Sequence, residues 1–376
     1  MSRKTNFGAG PAKVPESVLE KAQAELLNYN NLGLSVLEMS HRSGDFAKIL
    51  GDAESLLRDL MYEDVFSQVL LKIPDDYEVL FMHGGGTGQF AAIPLNLSYL
   101  ASDPENPTAD YVITGTWSQK AAKEAEKYVK VNKVLQLSQH NAIPPQSEWK
   151  LTDGAAYLYY CANETIHGIE FHETPKVPDN VHLIADISSN ILSRSIDISK
   201  HSVIIAGTQK NLGIGGLTIV IVRKNLIGHE RPYTPGVLNY ADISKNKSLY
   251  NTPCVFAIYI TKLVLEWIKE QGGAAEMEKR AKEKSGILYE TIDQSDGFYQ
   301  SMVNEDSRSR MNVPFRVRSN SELETKFVTE AAAAGMISLK GHRSVGGIRA
   351  SLYNAVSIEE TRKLIAFMKH FQQSNQ

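Results

Sequence analysis

The sequence has little of the chemistry that marks secreted, membrane-bound or nucleic-acid-binding proteins. Its 376 residues include only two cysteines, Cys161 and Cys254, which form neither a metal-binding nor a disulfide pattern. No apolar run approaches the length of a membrane span, and the first residues contain no signal-peptide block. The net charge of −3 gives no basic excess for binding nucleic acid. We therefore expect a cytoplasmic protein without nucleic-acid or membrane partners.

Apolar runs alternate with helical patterns over the first two thirds of the chain. The predicted strands are Tyr77–Met82, Tyr111–Ile113, Val129–Leu137, Ala155–Cys161, Val181–Ala185, Val203–Ala206 and Leu217–Val222. Strands that alternate with helices favour a mostly parallel sheet with helices on both faces. We expect the last pair, which is joined across Gly213–Gly216, to be antiparallel.

From Thr252 onwards the pattern is that of a smaller α+β unit. A long helical stretch breaks at Gly272–Gly273, a second one runs to about Asp293, and short strands and helices follow. We expect an N-terminal arm over residues 1–15, a large α/β domain over residues 16–270 and a small α+β domain over residues 271–376.

Lys210 stands where a buried strand ends and a glycine-rich turn begins. Apolar residues precede it at 203–206 and follow it at 217–222, so core surrounds the position on both sides. Burial of this kind favours the neutral, nucleophilic amine, which is the form that reacts with an aldehyde cofactor in Schiff-base chemistry. The alternative is an ordinary surface lysine at a strand–loop junction.

Two further residues follow predicted strands and carry suitable chemistry. Asp186 ends the strand Val181–Ala185, and ligands of open α/β sheets bind beyond the carboxyl ends of strands. A carboxylate there can keep a pyridine nitrogen protonated, although a turn or N-cap aspartate has the same pattern. Trp117 follows another strand and offers a flat face for a ring, unless it is a core residue. If the strands before Asp186 and Lys210 are neighbours, both side chains face one crevice.

The glycine run at residues 84–88 also follows a strand and precedes a helix. Backbone amides at such a helix N-terminus bind anions, typically phosphate. The run HGGGTGQF is neither a Walker motif nor a dinucleotide fingerprint, and a plain structural turn is the alternative.

The chain resembles the phosphoserine aminotransferase family over essentially its whole length. The resemblance lies in the motifs HGGGTGQF, GTW, NETIHG, ADISS, GTQKN, NTP, SRMNVPF and KGHRSVGGIRAS, which occur in family order. It implies a fold-type-I enzyme dependent on pyridoxal phosphate. Such enzymes have a large domain with a mostly parallel mixed sheet flanked by helices, plus a smaller C-terminal α+β domain.

The resemblance also implies roles for the residues around the cofactor ring. Lys210 would form the internal aldimine and then act as base and acid in the proton shift. Asp186 would pair with the pyridinium nitrogen, and Trp117 would stack on the ring. Thr165 would donate a hydrogen bond near the ring oxygen.

The cofactor phosphate would be held by two sets of residues. By resemblance, one subunit supplies the amides of Gly86 and Thr87 together with Gln209. Asn251 and Thr252 would complete the site from the partner subunit, which implies a homodimer with shared active sites.

A substrate with a phosphate and a carboxylate needs several cations, and arginine suits both anions. By resemblance, Arg349 would bind the α-carboxylate, whereas His41, Arg42, His342 and Arg343 would line the phosphate end. The last two of these would come from the other subunit. The implied reaction is reversible, ping-pong transamination of 3-phosphohydroxypyruvate with L-glutamate, giving O-phospho-L-serine for L-serine biosynthesis and 2-oxoglutarate.

The sequence departs from the family pattern at three places. Thr87 stands where many bacterial members carry a basic residue, so a direct charge contact with the substrate phosphate is lost. Ala9 replaces a frequent serine, which leaves only its backbone to contribute. The segment Met61–Ile73 is longer than in compact bacterial relatives and is interpreted as a surface extension of the preceding helix.

Two other functions fit parts of the pattern. Another enzyme of this fold, such as a desulfurase or an alanine–glyoxylate aminotransferase, would share the cofactor site. A desulfurase needs a cysteine on a mobile loop, and neither cysteine is placed there. The second alternative is a non-catalytic nucleotide-binding module on the same α/β sheet. Such a module would be colourless, whereas an enzyme with a lysine-bound cofactor would be yellow and would lose its colour on treatment with borohydride.

Overall fold

The computed structural model describes residues 3–61, 73–135 and 141–376. The proposed surface extension between Met61 and Ile73 lies, apart from its two end residues, outside the described residues. Within these ranges the helices are α1 Glu16–Glu25, α2 Gly44–Leu60, α3 Gly85–Leu97, α4 Thr116–Ala125, α5 Tyr240–Lys245, α6 Val255–Glu270, α7 Gly273–Asp293, α8 Ser321–Ala333 and α9 Ile358–Ser374. No helix in this part of the chain combines the length and apolar character needed to cross a bilayer.

Short strands outnumber the helices and fall into several sheets. They are β1 Thr5–Asn6, β2 Tyr77–Met82, β3 Thr108–Val112, β4 Lys130–Leu135, β5 Tyr157–Cys161, β6 Asn163–Glu164, β7 Ile169–Glu170, β8 His182–Asp186, β9 Val203–Gly207, β10 Thr218–Arg223, β11 Tyr299–Ser301, β12 Asn312–Val317, β13 Met336–Ile337 and β14 Ile348–Ser351. All the strands predicted for the large sheet are present, with ends displaced by up to three residues where both ends are described. The last two residues of the predicted strand Val129–Leu137 lie outside the described residues.

The main sheet has the strand order β2-β10-β9-β8-β5-β3-β4 within the described ranges. Strand β10 is antiparallel to both of its neighbours, and the other neighbouring strands are parallel. The predicted α/β class, with a mostly parallel mixed sheet, is therefore confirmed, and so is the antiparallel pair across Gly213–Gly216. Strands β8 and β9 are parallel neighbours, as the placement of Asp186 and Lys210 in one crevice requires.

Each face of the main sheet is covered by its own core. One core includes Phe46 of α2, Ile258 of α6 and Tyr160 of β5, and the other includes Phe90 of α3 and Tyr159 of β5. Successive residues of a strand point to opposite faces, so a strand covered on both faces is apolar throughout. This double coverage explains why inner strands such as β5 and β9 are continuous apolar runs.

A third core lies in the C-terminal part of the chain. The antiparallel sheet β11-β12-β14 contributes Phe315, α8 contributes Phe327, and α7 contributes Leu288. The N-terminal arm joins this part, because Phe7 enters the same core and β1 pairs in parallel with β13. Helix α7 also sends Met277 into the core of the main sheet. The division of the chain at residue 270 stays a prediction.

Candidate active site

A crevice of about 310 Å³ opens at the carboxyl edge of the main sheet. The strand registers bring the ends of β5, β8 and β9 to this edge, because Cys161 pairs with Asp186 and Asp186 with Ile205. Nine of the predicted site residues line the crevice together: Gly86, Thr87, Trp117, Thr165, Asp186, Gln209, Lys210, His342 and Arg349. Residues from six separate stretches of chain therefore converge on one cavity.

Lys210 reaches the crevice from the turn after β9. The N-terminal arm crosses its side chain at Gly10, where an added Cβ would lie 3.6 Å from Lys210 Cε. Burial lowers the pKa of Lys210, and the negative charge of Asp186 opposes that shift. Among the described residues, no acceptor is found for its Nζ within hydrogen-bond distance. The amine is thus available to react with a carbonyl group.

Asp186 is held at the end of β8 by two donors. The amide of Ser188 donates to Oδ1 at 2.9 Å, and the hydroxyl of Tyr159 donates to Oδ2 at 3.3 Å. Asp186 is only 6% exposed, although it lines the crevice. A carboxylate fixed in this way can hold a proton on a ring nitrogen of a ligand.

Trp117 and Arg349 are both tied to Thr165. The indole Nε1 of Trp117 donates to Thr165 Oγ1 at 3.0 Å, and the guanidinium of Arg349 donates to the Thr165 carbonyl oxygen at 3.0 Å. The Thr165 hydroxyl thus accepts from the indole and keeps its own proton to donate. The ammonium of Lys120 lies 4.5 Å from the centre of the Trp117 ring, a cation–π contact.

Helix α3 presents its N-terminus to the crevice. Its N-cap is Gly84, with φ of 92°, and Gly85 follows with φ of 62°, so the left-handed backbone here favours glycine. The amides of the first helical turn have no partner within a helix. A Cβ added at Gly86 would lie 3.9 Å from Asp186 Oδ2, so a side chain there would narrow the space in front of the carboxylate. These features make an anion site with room for a flat ligand.

Positive charge gathers at the side of the crevice formed by the C-terminal part. Arg349 and His342 both line the cavity. Burial lowers the pKa of Arg349, but a guanidinium stays charged at neutral pH. Partial burial lowers the pKa of His342, and the charges of Arg349 and Arg343 add to this effect. An anionic group of a substrate would relieve this repulsion.

The other predicted site residues do not line this crevice. They are His41, Arg42, Asn251, Thr252 and Arg343. His342 was expected from a partner subunit, yet it lines the crevice of its own chain. The placement of the five remaining residues in a shared site stays a prediction.

Three further side chains contact the predicted residues that surround the expected cofactor ring. Tyr159 donates to Asp186, Glu164 accepts from the backbone of Trp117, and Lys120 lies over the Trp117 ring. Tyr159 lies in the predicted strand Ala155–Cys161 and Glu164 in the motif NETIHG, but no local sequence pattern indicates the residue that either of them contacts. Lys120 follows Trp117 by three residues on a helix, a spacing that could have indicated the contact.

No group of three His, Cys, Asp or Glu side chains suited to a metal ion is found in the described ranges.

A model of the aminotransferase class-V family matches residues 5–364 of the chain. The chain is 54% identical to the probable phosphoserine aminotransferase of Caenorhabditis elegans over 374 residues, which are 98% of this chain and 97% of the relative.

The solved structures similar to this one include two phosphoserine aminotransferases. Phosphoserine aminotransferase from Bacillus circulans subsp. alkalophilus is 42% identical with a TM-score of 0.92, and the match covers 100% of this chain and 99% of that chain. Phosphoserine aminotransferase from Trichomonas vaginalis with bound pyridoxal phosphate is 40% identical with a TM-score of 0.90, covering 98% and 100% of the two chains.

Proposed function

The chain belongs to the aminotransferase class-V family, and we propose that it is a pyridoxal phosphate-dependent phosphoserine transaminase like the relatives that it matches. It exchanges the amino group between L-glutamate and 3-phosphohydroxypyruvate, giving O-phospho-L-serine and 2-oxoglutarate. The observation that carries the proposal is the convergence of Lys210, Asp186 and Trp117 on a crevice that also contains Arg349 and His342.

The described residues fit pyridoxal phosphate at each of its functional groups. When bound, this cofactor supplies an aldehyde that condenses with amines and a ring that accepts electrons. The amine of Lys210 would hold the aldehyde, Asp186 the ring nitrogen and Trp117 a ring face. Thr165 would donate to the ring oxygen, and the amides of Gly86 and Thr87 with Gln209 would bind the phosphate.

The protein groups divide the chemistry among themselves. Burial lowers the pKa of Lys210, so its Nζ would be able to accept a proton from the substrate carbon and to return it two atoms away, as a 1,3-proton shift requires. The carboxylate of Asp186 would hold a proton on the ring nitrogen. The arm at Gly10 covers the Lys210 side chain on one side and limits the access of water.

Substrate recognition would rest on cations that pair with the carboxylate and the phosphate of the substrate. Arg349 would bind the α-carboxylate, and His342 would contribute to the phosphate end from the same chain. His41, Arg42 and Arg343 would add to the phosphate end in a homodimer, with Asn251 and Thr252 completing the cofactor phosphate site of the partner. Exposed apolar side chains such as Leu37 and Tyr250, near these residues in sequence, support a covered surface here.

We expect the enzyme to prefer the phosphorylated keto acid strongly. A substrate without phosphate leaves partly desolvated cations unpaired, and we expect kcat/KM to fall by about 10²- to 10⁴-fold. A coupled, glutamate-dependent assay with 3-phosphohydroxypyruvate and its unphosphorylated analogue measures this ratio. Equal values would contradict the phosphate-end assignment, whereas a colourless protein inactive on both would contradict the proposed function itself.

Mixing two defective subunits tests whether the active site is shared. A Lys210→Ala subunit still supplies Arg343, and an Arg343→Ala subunit still supplies Lys210, so a hybrid dimer contains one complete site. Random mixing makes half of the dimers hybrid, and we expect about a quarter of the wild-type activity to return. Each variant mixed with itself is the control. A mixture no more active than the average of its two components would place Arg343 and Lys210 in one subunit's site.

We also propose a cytoplasmic location. Both Cys161 and Cys254 are free thiols, as is usual for proteins of a reducing compartment. Cell fractionation checks this assignment, and recovery in an organelle or a secreted fraction would contradict it.

A further inference from the structure

Glu164 is a buried carboxylate next to the crevice for which the proposed chemistry has no use. It is 0% exposed and accepts three hydrogen bonds from the beginning of α4. The donors are the amide of Trp117 at 3.0 Å, the amide of Ser118 at 2.7 Å and the hydroxyl of Ser118 at 2.7 Å. Burial raises the pKa of Glu164, and the bonds from Ser118 and Trp117 oppose that shift. The Glu164 carboxylate thus accepts the hydrogen bonds of the N-terminus of α4, although the two are far apart in sequence.

Gly115 provides the space for this contact. It is the N-cap residue of α4, and it has no side-chain oxygen that could accept from the first turn. A Cβ added at Gly115 would lie 2.3 Å from Glu164 Cδ, a clash with the buried carboxylate. Because a helix N-terminus favours a negative charge, Glu164 fills the role that a capping side chain normally has.

The next residue after Glu164 contacts the side chain of Trp117. Thr165 accepts from the Trp117 indole at 3.0 Å, so consecutive residues bind the backbone and the side chain of Trp117. The preceding residue, Asn163, is itself fixed by donating to Ser189 Oγ and Asn312 Oδ1, each at 2.8 Å. Residues 163–165 therefore form a rigid support whose position defines that of the indole.

We propose that Glu164 is a positioning residue of the cofactor site, acting as a long-range N-cap of α4 that fixes the ring-stacking Trp117. This inference rests on the proposed function, because it needs Trp117 to contact pyridoxal phosphate. Loss of the cap shifts the first turn of α4 and with it the indole plane. The effect on the cofactor is then transmitted entirely through Trp117.

The test is Glu164→Gln, which keeps the size of the side chain. The Oε1 atom of glutamine can still accept from Ser118. Its NH2 group, however, would face the backbone N–H of Trp117, and because both groups are donors, the hydrogen bond to Trp117 is lost. We expect the dissociation constant of pyridoxal phosphate to rise about tenfold. We also expect the visible circular dichroism of the bound cofactor to weaken, because that signal reports the asymmetry of its surroundings. The matched control is Asn320→Ala, which removes the cap of α8, where Asn320 accepts from the amides of Glu322 and Leu323.

Both variants should lower the melting temperature, but only Glu164→Gln should affect the cofactor. In a Trp117→Ala background, Glu164→Gln should have little further effect on cofactor affinity, because the indole through which Glu164 acts is then absent. Wild-type affinity and dichroism in Glu164→Gln, or an undiminished effect in the Trp117→Ala background, would overturn the role of Glu164. A wild-type protein that fails to bind pyridoxal phosphate would overturn the proposed function, and this inference with it.

Discussion

Replacing Lys210 with alanine will abolish transamination and leave the fold intact. Lys210 is the only residue proposed both to hold the cofactor aldehyde and to move the substrate proton. General acid–base catalysis alone contributes up to about 10⁴-fold, so we expect kcat to fall by at least that factor. Because Nζ has no acceptor among the described residues, its removal breaks no hydrogen bond there, and a large loss of stability is not expected.

The measurement combines steady-state kinetics with the visible spectrum of the purified protein. Lys210→Ala should lack the colour of a lysine-bound cofactor and should not react with borohydride at the protein. Lys224→Ala is the matched control, because Lys224 also follows a strand of the main sheet but is exposed. Near-normal turnover in Lys210→Ala, with that control also active, would remove the lysine from the mechanism.

Replacing Asp186 with asparagine will reduce turnover while the cofactor stays bound. Asparagine has the same shape and can still accept from the Ser188 amide, but it carries no charge to hold a proton on the ring nitrogen. Removing one preorganised electrostatic contact from an active site costs about 10² to 10³ in kcat. The phosphate site at α3 is untouched, so we expect the bound cofactor content to remain close to that of the wild type.

Tyr159→Phe separates the charge of Asp186 from its hydrogen bonding. The phenol donates to Asp186 Oδ2 at 3.3 Å, and its removal leaves the carboxylate charged. A neutral hydrogen bond contributes about 1 kcal/mol, so kcat should change by less than about tenfold. If Asp186→Asn lowered kcat no more than Tyr159→Phe does, the charge of Asp186 would have no part in catalysis.

The architecture of the main sheet could be predicted because most of its strands are apolar and are bounded by polar or glycine-rich turns. The meeting of Asp186 and Lys210 followed from the same pattern, since parallel neighbouring strands end at one edge of a sheet. Strand β11 could not be predicted in this way, because Tyr299–Ser301 is short and only Tyr299 is buried. Pairing with β12, rather than a local pattern, gives that segment its conformation.

The supports of the site could not be predicted, because they join residues far apart in the chain. Glu164 accepts from the amide of Trp117, which is 47 residues away in sequence, and no spacing rule predicts such a contact. The packing of Gly10 against Lys210 is equally remote. The types of side chain indicated which chemistry the site could perform. The residues that hold those side chains in place are determined by three-dimensional packing.

The pairing of β1 with β13 has a consequence for how the protein is made. Thr5 lies opposite Met336, and the arm that continues from β1 crosses Lys210 at Gly10. A ribosome synthesises the N-terminal end first, and domains fold as they emerge. The pairing of the arm with β13 cannot form until residues 336–337 have been translated, so this long-range contact forms late. The strand pairing that holds the arm over the reactive amine therefore forms only after residue 337 has been made, and products truncated before this residue lack that pairing.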